Sequence, residues 1–192
     1  MAAAIYSTQN MEGVDVNNVF TLDTGTPEYP RPPFNPGTKA FGTDGSEWVY
    51  CTASITIANG SVVLVSQTAA SWSVALIGGS TLTAASNATG LLVGVVGGSQ
   101  GSMVVPAPTG TQTGQFFWVQ RAGNCPNVKT LASTTKLAQL HSSATLGGVL
   151  TSTGGGTNTT YQVMGIVIAN ATGSAAGPNT GILNYPVVGL TS

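Results

Sequence analysis

Charged side chains are scarce in this sequence of 192 residues. Lys, Arg, Asp and Glu make up 6% of it, against about 25% in typical soluble domains. A folded chain of 19.2 kDa exposes about 8,400 Å², over which five basic and six acidic residues are thinly spread. Because soluble monomers rely on surface charge to stay apart, we expect other subunits to cover much of this surface. A monomeric β-domain coated with Ser and Thr is the alternative.

Histidine and cysteine, which carry much of catalysis and metal binding, are also rare. One histidine, His141, and two separate cysteines, Cys51 and Cys125, cannot supply the ligand set of a zinc site. Residues 48–192 contain no carboxylate side chain, so neither a Ser-His-Asp triad nor a glycosidase pair can be assembled within them. The sequence therefore predicts a protein that is not an enzyme and that has no metal and no cofactor. His141 is expected at a strand end or on a helix surface.

Basic clusters and long apolar runs are missing as well. Residues 48–192 hold three basic residues, Arg121, Lys129 and Lys136, too few for the patch that neutralises nucleic-acid phosphates. No run approaches the 18 or so apolar residues of a spanning helix, and the first residues do not read as a signal peptide. We expect no nucleic-acid partner and no membrane, and we expect both cysteines to be reduced and at least half-buried.

Residues 1–47 differ from the rest in charge and composition. They hold all six acids and two basic residues, a net charge of −4, whereas residues 48–192 carry +3. Five of the ten prolines lie in residues 27–36, and proline favours an extended chain. Tyr29, Phe34 and Phe41 are spaced along this segment, as in peptides that dock through aromatic side chains. We therefore expect an acidic, Pro-rich N-terminal arm; a strap on its own domain is the alternative.

From Trp48 onward the sequence has the pattern of β-strands. Residues 48–57 alternate between apolar and polar, the turn signal Ala58-Asn59-Gly60 follows, and 61–66 reads as a return strand. Only residues 131–146 could hold a short helix. Regular short strands predict an all-β body over residues 48–192, an antiparallel β-sandwich or a small barrel. The further strands are predicted at 73–77, 91–96, 103–107, 115–120, 128–132, 137–141, 148–151, 161–168 and 182–188.

The stretch 114–123 is the most strongly patterned strand, with aromatic and β-branched residues between two glycines that should begin and end it. It contains Trp118, and an earlier Trp-Val strand contains Trp48; both tryptophans are expected in the core. Arg121 is expected to bind backbone carbonyls or an acid of the arm. With Phe116, these residues form the predicted core or trimer contact.

Glycine also lies within two similar strands, Leu92–Val96 and Val163–Val167. Glycine inside a strand permits a β-bulge or a close approach of another backbone. Chance similarity in a chain of simple composition is the alternative to a repeat. Pro106 and Pro186 are expected on edge strands or at strand ends.

The order of motifs along the chain resembles a known family. A Pro-rich N-terminus precedes residues 42–50 (GTDGSEWVY), Phe117-Trp118-Val119-Gln120, Gly165-Ile166-Val167 and residues 182–187 (ILNYPV). In this order they are similar to the small decoration, or cement, proteins of tailed-bacteriophage heads. The resemblance implies a β-rich body, often trimeric, seated outside the capsid where major capsid proteins meet, and it implies no metal and no catalysis. The long acidic arm departs from the family pattern.

This resemblance leads us to expect a structural virion protein, made in the host cytoplasm and located on the capsid surface. We expect a homotrimer whose partner is the major capsid protein. The predicted capsid or subunit interface consists of Tyr29, Pro30, Arg31, Phe34 and Phe41. The main alternative is a head-fibre or receptor-binding β-domain, with Trp72 on an exposed loop as its ligand-binding aromatic. A cellular β-sandwich binding module is a third alternative.

Overall fold

The structure is a computed structural model, and it describes residues 14–16, 18–21, 32–53, 55–67, 72–78, 92–97, 115–153, 161–170 and 176–189. Within these ranges 58% of the residues lie in strands and none lies in a helix, which confirms the predicted all-β class. The strands form one large sheet. In chain order they are β1 (Phe20–Thr21), β2 (Lys39–Phe41), β3 (Glu47–Ala53), β4 (Val62–Gln67), β5 (Trp72–Leu76), β6 (Leu92–Val96), β7 (Gln115–Thr130), β8 (Leu140–Ser142), β9 (Leu150–Thr151), β10 (Gln162–Ile168) and β11 (Gly177–Val188).

Strand β7 is the centre of this sheet, because it pairs with β1, β3, β6, β9 and β11. The pairings form two closed cycles that share it. One cycle runs β7–β3–β5–β4–β6, and the other runs β7–β11–β10–β8–β9. Among the described strands, β3 with β5 and β7 with β9 pair in parallel, and the other pairs are antiparallel. Strand β7 is therefore common to both cycles, and the pairing of β6 with β11 connects them a second time.

Strand β4 separates two apolar cores. Its alternate residues Val63 and Val65 lie in a core with β3, β5 and the first part of β7. Val62 and Leu64 lie in a second core with β8 to β11 and the later part of β7. A strand with successive side chains on opposite faces can be apolar on both only where both faces are covered. This double burial fixes β4 in the interior.

A third cluster covers the outer face of β3 and β7. Trp48 and Trp118 are fully buried in it, which confirms that the two Trp-Val strands contribute to the core. The ring of Phe34 lies 5.5 Å from that of Tyr50 and 5.3 Å from that of Trp118, in edge-to-face arrangements. Val14, Val16 and Ala40 complete the cluster. The described parts of residues 14–41 therefore pack against their own domain.

The strand expected to return along β3 forms as β4, but the expectation that it pairs with β3 is wrong. The turn at residues 58–60 is present, since Ser61 N donates to Ala58 O over 3.1 Å. However, β4 pairs with β5 and β6, and β3 pairs with β2, β5 and β7.

The expected strand end at Gly123 is also wrong, because β7 continues through it to Thr130. Gly123 has φ 94°, and a Cβ at this position would lie 2.8 Å from the Cα of Ser46. The ladder between β3 and β7 shifts register here, from Glu47 opposite Ala122 to Trp48 opposite Gln120. The glycine therefore allows a bulge and a close backbone approach instead of a turn.

The helix considered for residues 131–146 does not form. Residues 131–139 make turns before β8 begins at Leu140. Side-chain hydroxyl groups form hydrogen bonds with the backbone here. Thr134 Oγ1 donates to Leu131 O over 2.8 Å, and Thr135 N donates to Ser152 Oγ over 2.8 Å. Such side-chain bonds compete with helical ones. The strand predicted at 103–107 and Pro106 lie outside the described residues.

The glycines inside strands behave as expected. A Cβ on Gly94 would collide with Val119, and a Cβ on Gly165 would lie 2.7 Å from the carbonyl oxygen of Asn184. The ladder between β10 and β11 shifts register at Gly165. Pro186 lies beside this irregularity, two residues before the end of β11, so the strand-end alternative holds. It does not lie on an edge strand, because β11 pairs with β10 on one side and with β6 and β7 on the other.

Candidate functional site

Strands from both halves of the chain border a small pocket that contains charged and aromatic side chains. Its volume is about 200 Å³. Strands β2, β3, β5, β6, β7 and β11 each contribute to its lining. The lining residues are Lys39, Glu47, Val49, Trp72, Leu92, Arg121 and Tyr185. We call this site the charged pocket.

Glu47 connects three strands within the charged pocket. Its Oε1 lies 2.8 Å from Lys39 Nζ on β2, and its Oε2 accepts a hydrogen bond of 2.6 Å from Tyr185 Oη on β11. The side chain is buried. Burial raises the pKa of Glu47, but the hydrogen bonds from Lys39 and Tyr185 and the charges of Lys39 and Arg121 outweigh it, so this pKa lies below its ordinary value. The carboxylate is therefore held ionised in the folded protein.

Arg121 is buried and holds β7 to its neighbours. Its Nη1 donates to Val93 O over 2.6 Å and to Pro186 O over 3.2 Å. Burial lowers the pKa of the guanidinium, and the negative charge of Glu47 opposes that effect. The structure thus confirms the expectation that Arg121 binds backbone carbonyls, and it places Glu47, the last acid of residues 1–47, close enough to act on it electrostatically.

The lowered pKa of Glu47 gives folding a defined dependence on pH. A carboxylate whose folded-state pKa is depressed stabilises the protein above its unfolded pKa, here 4.5, and loses that contribution as the pH falls through the folded-state value. We expect the free energy of unfolding, measured in urea, to decline below about pH 5. The Glu47→Gln variant should show a shallower decline over the same interval. Parallel curves for the two proteins would contradict this assignment.

Trp72 lies in strand β5 and is half-buried, so the expectation that it sits on an exposed loop is wrong. The loop before β2 covers its ring: a Cβ on Gly37 would come 2.7 Å from Trp72 Cδ1. The ring also lines the charged pocket. Trp72 can therefore contact a ligand that enters that pocket.

A second surface feature is the outward side of β10 and β11. Met164, Val167 and Ile182 are exposed there, and Val167 lies directly opposite Ile182 in the ladder. Neither strand contains a charged residue. Because the solvent face of an antiparallel sheet is ordinarily polar, three exposed apolar side chains on paired strands mark a surface suited to contact with another protein. We call it the β10–β11 face.

Of the residues expected to form the capsid or subunit interface, the structure describes Phe34 and Phe41. Tyr29, Pro30 and Arg31 fall outside the described residues. Phe34 packs on the body, as given above, and Phe41 is half-buried in β2. Phe34 is thus engaged within its own domain.

Three of the four residues expected as core or trimer contacts, Trp48, Phe116 and Trp118, lie close to one another. Trp48 and Trp118 are buried in the third cluster, and Phe116 packs at its border, 6.0 Å from Tyr50 and 6.3 Å from Phe20 between ring centroids. Arg121 lies further along β7, in the charged pocket.

The third cluster borders a second cavity, of about 220 Å³. Phe34, Tyr50 and Trp118 line it, together with Asp15 and Asn18. Burial raises the pKa of Tyr50 to about 12, and its buried hydroxyl has no hydrogen-bond partner among the described residues. This cavity lies where residues 14–20 and 33–34, as far as the structure describes them, meet Tyr50 and Trp118 of the body.

Neither cysteine is among the residues that line the two cavities. Cys51 and Cys125 are free and buried, as expected, and burial raises the pKa of each thiol to about 12. Within the described ranges, no three His, Cys, Asp or Glu side chains group closely enough to hold a metal ion. The part of the chain that the structure describes also contains no helix able to cross a membrane.

Sequence reasoning missed the β10–β11 face and the link from Glu47 to Tyr185. The absence of charge in both strands was visible, but the outward orientation of Met164 and Ile182 was not. Comparison with known proteins adds no assignment: no protein-family model matches the sequence, and no curated protein matches it. The β10–β11 face and the charged pocket are thus the two features that bear on function.

Proposed function

We propose that this chain is a structural virion protein that binds the outside of a phage capsid and stabilises the shell by bridging major capsid protein subunits. The observation that carries the proposal is the β10–β11 face, an apolar and uncharged surface on paired strands. Isolated exposed apolar residues are ordinary, but adjacent ones on a rigid sheet mark contact sites. The low charge of the whole chain supports the same conclusion, because surfaces buried in an assembly have less need of charge.

In this proposal the protein acts as a homotrimer, and each copy presents its β10–β11 face to the major capsid protein. Contacts that are weak individually hold well when several are linked, because the second binding event takes place at a high effective concentration. The two closed strand cycles favour the small-barrel alternative over the sandwich, and they provide a rigid support. Tyr29, Pro30 and Arg31 supply a further contact from the arm.

Co-sedimentation with undecorated capsid shells of the parent virus tests this function. We expect binding to saturate at a fixed ratio of copies to major capsid subunits. Ile182→Lys should weaken binding by at least about ten-fold, because it places a charge within a buried apolar contact. Leu146→Lys is the matched control, since Leu146 is comparably exposed but lies in the loop between β8 and β9; it should bind like the wild type.

Three outcomes would contradict the proposal. No binding to the shells would do so, and so would a handful of copies per particle. Equal losses in the Ile182→Lys and Leu146→Lys variants would show that the β10–β11 face is not the contact surface. Circular dichroism and urea unfolding of both variants establish that each is folded before binding is compared.

A head-fibre or receptor-binding β-domain is the second candidate function. The charged pocket favours it, because it combines Trp72 with charged groups in a volume suited to a small ligand. This function predicts few copies per particle and ligand binding that survives Tyr29→Ala and Arg31→Ala, which leave Lys39 and the rest of the pocket lining in place. Decoration through the arm predicts that the same substitutions lower capsid binding.

A further inference from the structure

Among the residues that the structure describes, the charges that line the charged pocket do not balance. Lys39 and Arg121 carry two positive charges and Glu47 carries one negative charge, a net charge of +1. Of the other acids that the structure describes, Asp44 accepts hydrogen bonds from Ser46 N and Ser46 Oγ over 3.0 and 2.6 Å, and Asp15 lines the second cavity. Charges removed from water are stabilised by a partner of opposite sign. The pocket is therefore complementary to a single negative charge.

Arg121 has hydrogen-bonding capacity left for such a partner. Both hydrogens of its Nη1 are used on Val93 O and Pro186 O, which fixes the plane of the guanidinium. Its Nε and Nη2 carry three more N–H groups, and these have no hydrogen-bond partner among the residues that the structure describes. The pair of donors on Nε and Nη2 matches the two oxygens of a carboxylate.

The remaining lining of the pocket is apolar and aromatic. Trp72, Val49 and Leu92 form this part, and an indole provides a flat surface for the face of a ring. The volume of about 200 Å³ is below the range of about 300–1,000 Å³ typical of drug-sized ligands, so the pocket has room for one ring.

The backbone at the rim of the pocket is strained. Tyr185 has φ 46°, a left-handed conformation that residues other than glycine, Asn and Asp rarely adopt. Such strain is concentrated where ligands bind. The same backbone conformation positions the Tyr185 hydroxyl, which donates to Glu47 Oε2.

We propose that the charged pocket binds a small ring compound that carries one carboxylate, with the carboxylate on Arg121 and the ring on Trp72. An acidic monosaccharide and a simple aromatic acid share this chemistry, and the experiment below distinguishes them. The proposal does not rest on capsid attachment, since the ligand is titrated against the isolated protein. Failure to bind shells and failure to bind the acid are therefore separate results.

Tryptophan fluorescence during titration with glucuronate and with benzoate tests the proposal. Trp48 and Trp118 are fully buried, so the change should come from Trp72 and disappear in Trp72→Phe. We expect at least one acid to bind, at least about ten-fold more tightly than glucose or inorganic phosphate. The acid that binds more tightly identifies the source of the ring. No fluorescence change with either acid up to roughly 50 mM, or equal binding of glucose, would overturn the proposal.

Two charge variants are expected to change the affinity for the acid in opposite directions. If the charged residues only supported the fold, the affinity would not change in this way. Lys39→Gln lowers the net charge of the pocket to zero and should weaken acid binding about five-fold. Glu47→Gln raises it to +2 and should strengthen binding by a similar factor. Lys129→Gln, which is outside the pocket lining, is the control and should bind like the wild type. Changes in the same direction for Lys39→Gln and Glu47→Gln would overturn the proposal.

Discussion

Replacing Gly123 with alanine is expected to lower the free energy of unfolding by about 3 kcal/mol or more. Two costs add at this position. The residue has φ 94°, which alanine adopts only with strain, and its new Cβ would lie 2.8 Å from the Cα of Ser46. Because the obstacle is backbone and not a flexible side chain, the ladder between β3 and β7 must shift. Urea unfolding followed by circular dichroism measures the loss.

Gly45→Ala is the matched control for Gly123→Ala. Gly45 has a comparable φ of 79°, but a Cβ there would meet no atom within 4 Å. It should cost about 1 kcal/mol, the strain of the backbone alone. The difference between the two variants isolates the close approach of Ser46. Equal losses would show that the chain tolerates a side chain at the bulge, contrary to this expectation.

The second large effect is expected at Arg121. Arg121→Met keeps most of the apolar stem but removes both hydrogen bonds of Nη1, so that the carbonyls of Val93 and Pro186 lose a buried donor. Each buried polar group left without a partner costs about 1–3 kcal/mol, and disrupting one side of a buried charge arrangement costs about 3–5 kcal/mol. We expect a loss of about 3–5 kcal/mol in the free energy of unfolding.

Lys39→Met is the control for this variant. It also removes a positive charge near Glu47, but the Lys39 side chain is 56% exposed, and exposed ion pairs contribute about 0–1 kcal/mol. Its loss should therefore stay below about 1 kcal/mol. If the two variants lost equal stability, the hydrogen bonds from Arg121 to the carbonyls would not be a main support of the fold.

Local patterns predicted most strands, because alternation and turn residues act over a few positions. β4, β5, β6, β10 and the start of β7 lie close to where the sequence placed them. Burial of Trp48 and Trp118 followed from their scarcity in a chain with few aromatics. The order of strands in the sheet could not be predicted, since the partners of β7 are distant in sequence and no local signal specifies them.

Glycine shows why the same signal can mislead. At residues 58–60 a glycine ends a turn as predicted, whereas at Gly123 it lets two backbones approach within a continuous strand. Both positions need glycine. Whether the chain turns there or continues beside another strand depends on the segments that pack against it, which are distant in sequence. The long β7 was therefore predicted as two separate strands.

The charged pocket was predictable only in part. The lack of acids in residues 48–192 indicated that Arg121 needs backbone carbonyls or an acid from residues 1–47. The structure shows hydrogen bonds to two carbonyls, with Glu47 near enough to act on the guanidinium electrostatically. The pairing of Glu47 with Tyr185 across the length of the chain has no local pattern. The β10–β11 face was hidden for a related reason: Val163–Ile168 is apolar at nearly every position, which equally fits a strand buried on both faces.

The sharing of β7 by two strand cycles bears on how the chain reaches this structure. β7 must find partners on both sides of it in sequence, from β3 to β11, before either cycle closes, and proteins dominated by such distant contacts fold slowly. Until then, unpaired strand edges are exposed to other copies, which is the condition that favours aggregation. Once formed, neither cycle can open at β7 without disturbing the other, so the two halves should unfold as one cooperative unit. If the chain were divided into two fragments, one for each cycle, only one fragment would contain β7, and the other would lack its longest strand.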